Sequence, residues 1–68
     1  MEEKFGDLIR RLRTEKGYTV SQFAKVTGFT DAQIRNIENN KNKPRPFNLN
    51  KLANALGCSY EYLFNKSK

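Results

Sequence analysis

The chain contains no histidine, no tryptophan and a single cysteine, Cys58. A zinc site of the usual kind takes about four His and Cys ligands, so a bound metal is not expected. One thiol cannot close an internal disulfide, which fits a reducing, cytoplasmic setting. Cys58 follows Gly57 between two apolar patterns, and it reads as a small buried hydrophobe rather than a reactive thiol. No apolar run approaches the ~20 residues that span a bilayer, and the charged start Glu2, Glu3, Lys4 is unlike a secretory segment, so no membrane partner is expected. There is no nucleophile with an evident base and no glycine-rich phosphate loop. These absences argue against an enzyme, and no cofactor or small-molecule ligand is expected.

What the chain does carry is positive charge. Its 68 residues have room for one domain, 1–68, with a small core, since a chain of this size buries only about 60% of its unfolded surface. Thirteen Lys and Arg against seven Asp and Glu leave a net charge of +6, which favours polyanionic partners. The charge is uneven. Between Ala32 and Tyr60 stand five cations, Arg35, Lys41, Lys43, Arg45 and Lys51, and one anion, Glu38, so this half should present a positive face. Near the start, Glu2, Glu3 and Asp7 precede Arg10, Arg11, Arg13 and Lys16, the order that a helix macrodipole favours.

The apolar spacing predicts an all-α chain of five helices. Phe5, Leu8, Ile9 and Leu12 fall at i, i+3, i+4 and i+7, one buried helical face, in a helix ending near Gly17. Thr19 with Gln22 has the capping-box spacing, and Val20, Phe23 and Ala24 supply the apolar face of a second helix from about Val20 to Thr27. Gly28 stands where a positive φ lets the chain turn. Thr30 with Gln33 repeats the box, and Ile34 and Ile37 face inward from a third helix, roughly Asp31 to Asn39. Asn40 to Pro46 reads as a loop, because each proline biases its predecessor away from helical angles. Leu49, Leu52, Ala53 and Leu56 form a fourth stripe closing at Gly57, and Ser59 can cap a last helix holding Tyr60, Leu63 and Phe64. No strand-like alternation is present.

The segment 20–39, VSQFAKVTGFTDAQIRNIEN, places two short helices about a tight turn. Ala24 is small where the helices cross, Gly28 turns the chain, and Ile34 and Ile37 anchor the second helix. Asp31, Ala32, Gln33, Arg35 and Asn36 then point outward, on a helix that a major groove about 12 Å wide can accept. At these residues the chain resembles the helix-turn-helix family of lambdoid phage repressors and Cro proteins. The resemblance extends to Arg13 ahead of Lys16-Gly17, the Ile34-x-x-Ile37-Glu38-Asn39 run, Pro44, and Leu52-Ala53-x-Ala55-Leu56-Gly57.

That resemblance implies a five-helix bundle that binds operator double-stranded DNA as a homodimer on a palindromic site. It implies base reading by Asp31, Ala32 and Asn36, with Gln33 and Arg35 on the same face. It implies phosphate contacts from Thr19, Ser21, Gln22, Asn39, Lys41, Lys43 and Arg45, a structural ion pair between Arg13 and Glu38, and a dimer surface near Tyr60, Tyr62 and Phe64. Where many members carry glutamine at the start of the second helix, this chain has Val20, which has no side-chain hydrogen bond to offer. Three residues keep two readings each. Asp31 can accept from cytosine N4 or simply stabilise a helix N-terminus. Gln33 can reach a base or fold back to complete its cap. Asn36 can pair with adenine N6 and N7 or stay solvated. The rival function is a protein-interaction or antitoxin-type module using the same bundle.

Overall fold

The computed structural model describes residues 3–67; the Glu2 expected to favour the first helix dipole lies outside the described residues. Five helices follow in order: α1 (Phe5–Glu15), α2 (Val20–Thr27), α3 (Asp31–Glu38), α4 (Pro46–Leu56) and α5 (Tyr60–Lys66). No strand occurs among the described residues, and no helix there is long and apolar enough to cross a membrane.

Local chemistry accounts for most helix ends. The Thr19 hydroxyl accepts from the Gln22 amide at 3.1 Å while Gln22 Oε1 accepts from the Thr19 amide at 2.9 Å. Thr30 and Gln33 repeat this at 3.1 and 2.8 Å. Each box satisfies two amides that a helix start otherwise leaves unpaired. Ser59 Oγ accepts from the Tyr62 amide at 3.1 Å and caps α5. Gly28 ends α2 at φ 81°, where the amides of Gly28 and Phe29 both donate to the Ala24 carbonyl.

Three boundaries differ from the sequence expectation, the first being α1, which closes at Glu15 with Lys16 as its C-cap and not at Gly17. Helix α3 ends at Glu38, with Asn39 as its C-cap at φ −89°, ψ 7°, because Asn40 takes φ 61° and breaks the helical path. Helix α4 begins at Pro46, which the spacing of prolines had placed in the loop. Proline has no amide to leave unpaired, and its ring pre-sets the φ of a first helical residue. The preference for extended geometry before proline is met one residue earlier, by Arg45 at ψ 161°.

All five helices contribute to one core. Phe23, Ile9, Ile34, Leu49, Leu52 and Leu63 are its largest fully buried side chains, each stabilising by about 1.5–3 kcal/mol relative to exposure. Helix α3 packs against α1 and α2, and α4 against α2 and α5, so the outward face of α3 is held from behind on two sides. Cys58 is half-buried and packs against the core margin, less covered than its reading as a small buried hydrophobe, because it lies in the short link after the exposed Gly57.

Candidate nucleic-acid interface

Helix α3 is divided by its own periodicity. Ile34, Ile37 and Glu38 are buried; Asp31, Ala32, Gln33 and Arg35 are exposed, and Asn36 is half-buried. The five outward residues thus share a face whose backbone is fixed by the capping box at one end and by the core behind.

Several of these side chains already have hydrogen-bond duties. Gln33 Oε1 is committed to the Thr30 amide, so its amide NH2 is the group left to reach outward. The Ser21 hydroxyl, near the start of α2, donates to Asp31 Oδ2 at 2.8 Å. Gln22 is likewise engaged through its oxygen, while the Thr19 hydroxyl accepts from the Gln22 amide and keeps its proton. Val20 is half-buried against the core.

Behind the outward face of α3, Glu38 is held by two arginines. Its side chain is 4% exposed, and Arg13 Nε lies 2.7 Å from Oε2, with Arg13 Nη2 3.1 Å from Oε1. Arg13 also donates to the Tyr18 carbonyl at 2.9 Å. This two-pronged, largely buried arrangement joins α1 to the end of α3. Arg10, which the sequence reading did not place in the site, adds a longer contact of 3.5 Å to Glu38 Oε1 and donates to Asn39 Oδ1 at 3.1 Å. The signal was available: Arg10 precedes Arg13 by one helical turn and shares its face. With its oxygen held by Arg10, Asn39 directs its NH2 elsewhere.

Beyond α3 the chain forms a cleft of about 350 Å³ with Phe29, Ile37 and Pro44 as apolar walls and Gln33, Lys41, Lys43 and Arg45 among its lining. Lys41, Lys43 and Arg45 therefore share this cleft with Gln33 and Ile37 of α3. Lys41, Lys43, Arg45 and Arg35 are exposed and have no ion pair among the described residues. Lys51, not selected from the sequence as a site residue, lies with Nζ 5.8 Å from the Phe29 ring centre and 4.7 Å from that of Phe47.

At the opposite end of the sequence, Tyr60 is half-buried and stacks on Phe64 at 5.8 Å. Tyr62 and Phe64 are 40% and 37% exposed.

The family model described as Helix-turn-helix matches residues 9–63, which span α2, the turn and α3. The chain belongs to the helix-turn-helix family. The HTH-type transcriptional repressor RghR of Bacillus subtilis (strain 168) is 44% identical over 66 residues, 96% of this chain and 49% of that protein. The chain spans about half the length of the Bacillus subtilis relatives it matches, from 43% to 55%. Among solved structures, the P22 c2 repressor in complex with a synthetic operator superposes with a TM-score of 0.87 at 28% identity, covering 96% of this chain and 98% of that one. SinR, a master regulator for biofilm formation solved in complex with DNA, superposes with a TM-score of 0.81 at 31% identity, covering 88% and 97%. In this helix-turn-helix chain the turn residues are Gly28, Phe29 and Thr30, between α2 and α3.

Proposed function

We propose that the chain binds double-stranded DNA sequence-specifically as a transcriptional repressor, with α3 seated in the major groove of an operator and no catalytic step. The observation that carries this is the conjunction on one surface of a rigidly capped α3 with an exposed polar face and the unpaired Lys41, Lys43 and Arg45 that follow it. Base edges are read by precisely placed side chains on a fixed scaffold, whereas phosphates attract cations that have no internal partner. RghR's description as a repressor and the DNA held by P22 c2 and SinR support the same reading.

In this arrangement Asp31, Ala32, Gln33, Arg35 and Asn36 face the bases, and Thr19, Gln22, Asn39, Lys41, Lys43 and Arg45 reach phosphates. Two copies on a palindrome would place their α3 helices one helical turn apart, about 34 Å. The exposed rings of Tyr62 and Phe64 are the proposed contact between copies.

Selection of bound sequences from a random DNA pool, followed by titration of the winner at several salt concentrations, tests the proposal. The expected result is a palindrome, bound with a log affinity that falls linearly with log salt by about 0.9 per phosphate neutralised. Enrichment of no sequence, or an affinity indifferent to salt, would overturn it and favour the protein-interaction module.

A further inference from the structure

The hydrogen bond between the starts of α2 and α3 carries a more specific assignment, which rests on the DNA-binding reading above. We propose that Ser21 is a positioning residue that aims the Asp31 carboxylate at a cytosine, instead of gripping a phosphate as the family resemblance implies.

Ser21 is the second residue of α2 and Asp31 the first of α3; both are exposed, and Ser21 Oγ stands 2.8 Å from Asp31 Oδ2. An ionised carboxylate only accepts, so the serine is the donor, and a hydroxyl has one hydrogen to give. Phosphate oxygens are acceptors as well. While Ser21 holds Asp31, it has no hydrogen left for the DNA backbone.

Asp31 is not needed by its own helix for a cap. Thr30 and Gln33 already close the N-terminus of α3 through both halves of a capping box. The first-turn position favours the negative charge, and the bond from α2 selects one orientation of an otherwise rotatable carboxylate. Oδ2 then accepts from Ser21, and Oδ1 is the oxygen that carries no hydrogen bond within the fold.

The major-groove edges respond differently to such a group. Guanine presents two acceptors, and thymine an acceptor and a methyl group. Adenine presents a donor flanked by its own N7 and by O4 of the paired thymine, while the cytosine N4 donor has an acceptor on one side only, O6 of the paired guanine. Cytosine is the base that meets Oδ1 with a hydrogen and sets the fewest lone pairs against the charge.

The experiment measures relative affinity for all four base pairs at every operator position, on the full chain, for the unsubstituted protein and for Ser21→Ala, Ser21→Thr, Asp31→Ala, Asp31→Asn and the double Ala variant. Melting temperatures are recorded alongside. The unsubstituted protein is expected to demand cytosine at one position per half-site, with discrimination of about tenfold. Asp31→Ala abolishes that demand, and Asp31→Asn, which gains a donor, moves it towards adenine. Ser21→Ala weakens discrimination several-fold at the same position and adds nothing in the Asp31→Ala background; Ser21→Thr, which keeps the hydroxyl, restores it. The proposal is overturned if Ser21→Ala lowers affinity equally on all sequences and reduces the salt slope, the behaviour of a phosphate ligand. It is also overturned if Asp31→Ala changes no base preference. Failure of the unsubstituted protein to prefer any sequence removes the DNA-binding reading itself, and this proposal with it, before any variant is compared.

Discussion

The backbone amide of Gly6, in the first turn of α1, donates to the side-chain oxygen of Asn40 at 2.8 Å across 34 residues of sequence. Lys4, at the N-cap of α1, makes no side-chain cap, and Asn40 supplies from the end of α3 what Thr19, Thr30 and Ser59 supply locally to their own helices. Asn40 reaches this position by adopting φ 61°, a conformation asparagine tolerates better than most residues. The contact ties α1 to the chain leaving α3, beside the Arg13–Glu38 pair.

This close approach leaves no room for a side chain at position 6. A Cβ on Gly6 would press on the Ile37 carbonyl and come 2.5 Å from the Glu38 carbonyl and 2.8 Å from Asn40 Oδ1. Gly6→Ala should therefore destabilise by about 1–3 kcal/mol, although alanine is the better helix former by about 1 kcal/mol. Asn40→Ala should cost about 2 kcal/mol through the missing cap and the strained φ, and Asn40→Asp, which keeps the acceptor, much less. Urea unfolding midpoints decide this; a Gly6→Ala protein as stable as the parent would show that α1 does not dock so closely.

The two arginines on Glu38 should differ sharply. Arg13 has an 11% exposed side chain and two short contacts to the carboxylate, so Arg13→Ala, which leaves a buried charge poorly matched, should cost about 3 kcal/mol. Arg10 is 49% exposed and its ion-pair contact is 3.5 Å long, so Arg10→Ala should cost under about 1 kcal/mol. Chemical denaturation of both variants tests the ranking, and equal losses would refute it.

Removal of a base reader and of a phosphate anchor should give different phenotypes. Asn36 is half-buried on the outward face of α3 and Lys43 is exposed in the following loop. Asn36→Ala should relax preference at one base pair per half-site by about 1–3 kcal/mol and leave binding to scrambled DNA nearly intact. Lys43→Ala should weaken both DNAs and reduce the salt slope by about one unit for each phosphate that the lysine no longer neutralises. Titrations on selected and scrambled operators compare them; equal losses on both DNAs for Asn36→Ala would remove it from the readers.

Burial pushes the Cys58 thiol above its ordinary pKa, against an opposing pull from Lys16. The folded chain therefore favours the protonated thiol: the resulting stabilisation is fully present below the unfolded-chain pKa and is lost as pH rises through the folded one. Since the thiolate is the nucleophile, alkylation of Cys58 by iodoacetamide at pH 8 should be slower in the native protein than in the urea-unfolded chain. Equal rates would place the thiol in open solvent.

The features legible in the sequence are those that act over one helical turn. Thr19 with Gln22, and Thr30 with Gln33, are three residues apart, and that spacing alone lets side chain and amide exchange hydrogen bonds. The stripes of Leu8 and Ile9, Ile34 and Ile37, or Leu49, Leu52 and Leu56 report burial because helical periodicity puts them on one side before any partner is chosen. Gly28 and Gly57 mark turns for an equally local reason, their positive φ.

Other relationships exist only once helices have been set against one another. Ser21 meets Asp31 across ten residues, Arg10 meets Asn39 across 29, and Gly6 meets Asn40 across 34. No spacing rule encodes these contacts, because they depend on how far one helix is rotated and slid along another. Five helices, the caps on three of them and the exposed face of α3 follow from residue order alone, since each rests on interactions among near neighbours. Which hydrogen-bonding groups on that face remain free is settled only by helix packing, since docking α1 and α2 against α3 commits one oxygen of Asp31 and one of Asn39 to partners on other helices.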